Sequence, residues 1–144
     1  MEHSTVGREY PISNKECSMI SGQTYDLEAR LIEYAVRMIR VSEALPDSRS
    51  GQHIGKQLLR SGTAPAPNYS EAVSAESRRD FIHKVKLALK ELRETLTWLK
   101  IIRRADLIQP NEKLDEVIKE TDELIAILFT SVQTARKNLQ QKGS

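Results

Sequence analysis

The chain has 144 residues, room for one ordinary domain with a core of its own. Hydrophobic residues make up 39% and charged residues 29%, with only 6 Gly and 5 Pro, a balance that favours helices over a turn-rich β-fold. Net charge is +2 and aromatics are 5%, so bulk charge makes no case for nucleic acid and few rings exist to stack on sugars or bases.

Cys17 is the single cysteine. It has no intramolecular disulfide partner and no companion thiols for a structural zinc site. No run of about 18 apolar residues occurs, so no transmembrane helix is expected. The opening MEHSTVGREYPISNKE lacks the apolar core of a signal peptide. A cytoplasmic protein is expected.

Residues 1–23 show no period and contain Gly7, Pro11 and Gly22. They read as a flexible N-terminal arm, followed by a bundle over residues 24–141 and a tail over 142–144. Leu27, Leu31, Tyr34, Met38, Val41 and Leu45 alternate in steps of four and three, which predicts a first helix with one apolar stripe. Thr24 is its expected N-cap and Pro46 its stop. A second helix is predicted from Ser50, with Ile54, Leu58 and Leu59 on its apolar side. Pro65 and Pro67 remove two backbone donors, so a kink is expected there, with Asn68 capping the helical stretch beyond.

The strongest pattern covers residues 77–105. Ser77 is a good N-cap, and Ile82, Val85, Leu89, Leu92, Leu96 and Leu99 form the expected seam, flanked by Phe81, Ala88, Thr95 and Ile102. Residues 106–110 read as a turn. The last helix runs from about Asn111 to Gln140, with Leu114, Ile118, Thr121, Ile125, Leu128, Val132, Ala135 and Leu139 as its seam. These elements predict an all-α fold: an antiparallel up-down-up-down four-helix bundle with a proline-kinked second helix.

Charge is unevenly placed. Between Arg78 and Arg104 stand nine Lys or Arg against three Asp or Glu. Arg79, Lys86, Arg93 and Lys100 recur every seven residues, with His83, Lys90 and Arg104 beside them. Solvated or helix-paired charges would explain this pattern, and so would a footprint for phosphates. Lys86, Lys90, Arg93, Lys100 and Arg104 are the candidate nucleic-acid-binding residues. The start of the last helix has the opposite bias, with six acids (Glu112, Asp115, Glu116, Glu120, Asp122, Glu123) against Lys113 and Lys119. Leu87, Trp98 and Ile101 lie opposite the seam. They are the candidate oligomer interface, unless the second helix or the arm covers them.

No catalytic constellation emerges. Bundle di-iron sites need Glu-x-x-His on two helices, and none of His3, His53 and His83 follows a Glu at that spacing. Asp80 and His83 have the spacing once. There is no phosphate-binding Gly loop and no Gly-x-Ser-x-Gly. No metal, cofactor or enzymatic activity is expected. Glu71, just past the prolines, is the carboxylate most open to a special role, though a cap or salt bridge accounts for it as well.

The stretch QLLRSGTAPAPNYSEAVSAESRRDFIHKVKLALKELRETLTWLKIIRRADLI resembles the four-helix-bundle family of the bacterial rRNA intervening-sequence proteins. The resemblance spans residues 25–139. It is densest from Gln57 to Ile108, where Arg60 to Thr63, Asn68, Glu71 with Ala72, Asp80 to Lys84, Ala88 to Glu91, Glu94 with Thr95, and Trp98 with Leu99 carry it. It implies a ring-like homo-oligomer, commonly a pentamer, with no known catalysis. It also implies a link to RNA or to a nucleic-acid-handling protein. The reading is a non-enzymatic homo-oligomer that binds RNA or a ribonucleoprotein through the basic face of its third helix, without a membrane. The alternative is a protein-interaction scaffold or accessory subunit, for example a partner of a reverse transcriptase, with no nucleic-acid role of its own.

Overall fold

A computed structural model describes residues 23–141. The expected arm, apart from Gln23, the tail and Cys17 lie outside those residues. Five helices make up the described chain: α1 (Gln23–Ala44), α2 (Arg49–Thr63), α3 (Pro65–Val73), α4 (Arg78–Arg104) and α5 (Lys113–Gln141). No strand occurs among the described residues. The chain forms an all-α bundle, with α2 and α3 together filling the second of four positions.

Local chemistry sets the helix ends. The Ser48 hydroxyl accepts from the Gly51 amide and starts α2, and Ser77 does the same for α4 through Asp80 N at 3.0 Å. Thr24 is already helical, so it does not cap α1. Nor does Asn68 open α3. Pro65 stands at the first position, where its missing N–H costs nothing, and the Asn68 amide bonds back to the Ala64 carbonyl. Asp106 ends α4 at φ 59°, with Leu107 N on Ile102 O and Asp106 N on Arg103 O. These are the two bonds of a Schellman turn.

Neighbouring helices run in opposite directions. Gly62 packs on Met38 while Gly55 lies by Leu45, which sets α1 against α2. His53 meets Trp98 and Glu71 meets Lys84, which sets α2 and α3 against α4. Arg30 reaches Glu120 and Glu123, and Arg37 approaches Glu116, which sets α1 against α5.

The seam of α4 differs from the sequence expectation. Val85, Ala88, Leu92, Thr95, Leu99 and Ile102 are all 0% exposed, whereas Leu96 is only half-buried. Thr95 faces inward where Ser61 of α2 comes close. Thr95 Oγ1 lies 2.9 Å from Ser61 Oγ and 2.8 Å from the Glu91 carbonyl. In α5, Val117 and Leu124 are buried, while Ile118 and Ile125 pack at the margin. Thr121, the polar seam residue, donates to the Val117 carbonyl at 2.7 Å and accepts from the Tyr34 phenol at 2.7 Å. Each buried hydroxyl therefore has a partner, which removes most of its desolvation cost. Burial pushes the Tyr34 phenol well above its ordinary pKa, so it stays neutral.

Candidate nucleic-acid interface

The outer face of α4 repeats in steps of four and three: Arg79, His83, Lys86, Lys90, Arg93, Thr97, Lys100 and Arg104. Every one of them is exposed. A helix rises about 1.5 Å per residue, so the row is about 37 Å long. It contains no carboxylate. Among the described residues, no ion pair engages the side chains of Lys86, Lys90, Arg93, Lys100 or Arg104. The structure thus places all five candidate residues together on one exposed helix face. Thr97 was not singled out in the sequence. Its hydroxyl turns back to the Arg93 carbonyl at 3.3 Å, leaving a neutral step in the row.

Five other basic residues have partners. Arg103 holds Asp115 at 2.8 Å, and Lys84 holds Glu71 at 2.7 Å. Glu71 is therefore the exposed half of a surface salt bridge, and its hydrogen bond raises the Lys84 ammonium pKa. Arg60 bridges Glu91 and Glu94. The acidic side of α5 turns towards α1 rather than towards the α4 row. Arg30 binds Glu120 at 2.8 Å and Glu123 at 3.2 Å, and its pKa rises through the hydrogen bond with Glu120. Such partly exposed pairs contribute about 0–1 kcal/mol each. They leave the five candidate residues of the α4 row without an ion-pair partner among the described residues.

Leu87, Trp98 and Ile101 flank the row on the α2 side. Trp98 packs against the core, its ring edge-on to His53 at 6.0 Å and its indole N–H on Glu94 at 3.1 Å. Leu87 is half-buried, and Ile101 is 39% exposed. Other large apolar side chains are exposed elsewhere: Ile32 and Ile39 one heptad apart on α1, Leu59 on α2, Val73 on α3 and Phe129 on α5. Leu59 was expected on the apolar side. Adjacent helical residues point about 100° apart, so with Leu58 fully buried Leu59 faces outward.

Among the described residues, no group of three or more His, Cys, Asp or Glu could hold a metal ion, and no helix is long and apolar enough to cross a membrane. The fold defines an all-α bundle with a cationic row on one outer helix. Within that class, the sequence pattern of the 23S rRNA-intervening sequence protein family matches residues 24–130, and the chain belongs to that family. A solved structure of a protein of unknown function from the S23 ribosomal protein family of Bacteroides thetaiotaomicron is similar. It shares 33% identity and a TM-score of 0.68, over 74% of this chain and 97% of that one. No curated protein matches.

Proposed function

We propose that the protein is a non-enzymatic homo-oligomer that binds RNA through the exposed basic face of α4. The observation that carries this reading is the row itself. Long cationic side chains stand on one straight helix with no carboxylate among them and no ion pair to the described residues. A surface that serves only solubility has no need to segregate charge this way. The family's description, which names the 23S rRNA intervening sequence, agrees in chemistry. Contacts of this kind go to phosphates, so binding is largely independent of base sequence.

Replacing Lys86, Lys90 and Arg93 together with Gln is the test. All three are exposed, so helicity by circular dichroism should not change. RNA affinity should fall, and the log–log salt slope should flatten by about 2–3, the contribution of three phosphate contacts. Equal affinity with an equal slope would place the RNA site elsewhere. An unmodified protein with no RNA affinity at about 50 mM salt would end the reading.

Assembly multiplies weak phosphate contacts, because each subunit of a ring presents the same row. We assign the subunit contact to the α4 flank of Leu87, Trp98 and Ile101, with a pentameric ring as the expected assembly. Sedimentation of dilute protein should show an oligomer, and Ile101→Glu should weaken it. A monomer at micromolar concentration would remove the ring.

A second reading has its own support. Ile32, Ile39, Leu59 and Val73 expose apolar surface on α1 and on the two helices that pack against it. That suits a scaffold or accessory subunit that binds a nucleic-acid-handling protein without touching RNA itself.

A further inference from the structure

We infer that the α4 face takes double-helical RNA rather than single strands, holding two phosphate rows across one groove. The inference rests on the RNA-binding reading above and names its ligand class. Three observations carry it.

The first is shape. Single strands are held in charged grooves lined with stacking rings. The α4 row is the exposed outer face of a helix, and none of its residues lines the clefts at the α3–α4 turn, between the ends of α1 and α5, or along the α1–α2 turn.

The second is the scarcity of rings. Tyr34 and Tyr69 are buried, Phe81 and Trp98 pack against the core, and Phe129, the exposed Phe, Tyr or Trp among the described side chains, is on α5. The row itself carries one ring, the imidazole of His83, and no Phe, Tyr or Trp, so it has no run of rings for successive bases.

The third is spacing. The charges fall into two groups, Lys86 to Arg93 and then Lys100 with Arg104, with Arg79 set off alone before them. Neutral Thr97 lies between them, its hydroxyl committed to the backbone. From Arg93 to Lys100 the helix rises about 10 Å without a Lys or Arg in the row, as it does from Arg79 to Lys86 across His83. One continuous strand would be met best by an unbroken row. A gap suits two phosphate rows that flank a groove. The wide, shallow minor groove of A-form RNA offers that to a rod lying across it, and its recognition depends on shape and phosphates rather than on base edges.

Fluorescence anisotropy on the full chain tests this, with a labelled RNA duplex of about 20 base pairs and one of its strands as probes. The duplex should bind about ten-fold tighter or better. Lys100→Gln with Arg104→Gln should weaken duplex binding about ten-fold and flatten its salt slope by nearly 2. The same variant should change single-strand binding by less than about three-fold, because the first group still serves one strand. A single strand bound as tightly as the duplex, or a double variant that weakens both probes alike, overturns the inference and leaves the RNA site in place. No binding of either probe at about 50 mM salt overturns the RNA-binding reading as well.

Discussion

Leu92→Ala is expected to lose about 2–5 kcal/mol of stability, because it opens a cavity at the centre of the bundle. Leu92 is 0% exposed and sits mid-seam between Ala88 and Thr95, which are equally buried. Those two neighbours are small, so little side-chain volume is at hand to collapse into the space. Denaturant unfolding at fixed protein concentration is the measurement, since assembly would add a concentration-dependent contribution. A loss below about 1 kcal/mol would mean that the α4 register is wrong. Leu96→Ala makes an internal comparison. Leu96 belongs to the row that the structure turns to the margin, so it should cost clearly less.

Gly62→Ala should destabilise by about 1–3 kcal/mol, although Ala is the better helix former by about 1 kcal/mol. Gly62 is buried where α2 crosses α1, and an added Cβ would fall 2.5 Å from Met38 Cγ and 2.8 Å from Met38 Cβ. The second of these atoms is anchored to the α1 backbone, so the crowding cannot be relieved by a rotamer change alone. Met38→Ala by itself should also destabilise, since Met38 is 0% exposed. Combined, the two changes should cost less than their sum, because the new methyl occupies part of the vacated space. A coupling of about 0.5–3 kcal/mol is expected from unfolding of the four variants. If Gly62→Ala stabilises the protein instead, the helices have slack there and the close approach is not required.

Much of this protein is written in local sequence. The four-three spacing of apolar residues fixes helices as the elements. Ser77 marks the start of α4 by its hydroxyl, and the interruption at Pro65 follows from a missing donor. The segregation of Lys and Arg on one side of α4 also needs no structure, because helical periodicity alone brings residues seven apart to one face.

The tertiary structure decided the rest. Side-chain size suggested Leu96 for the α4 seam, but the fully buried row runs through Thr95, and Ala88 is at least as deeply buried as the Leu89 beside it. What decides is the distance to α2, where Ser61 approaches, and that distance is a property of the pair and not of either helix. For the same reason Val117 and Leu124 displace Ile118 and Ile125 in α5. Which charges have partners was equally hidden. Arg30, Arg60, Lys84 and Arg103 look no different in sequence from Lys86, Lys90 and Arg93, yet the first four meet carboxylates from other helices. Periodicity within one helix assigns a residue to a side. Only the packing of that side against another helix determines whether it finds core, counter-charge or solvent.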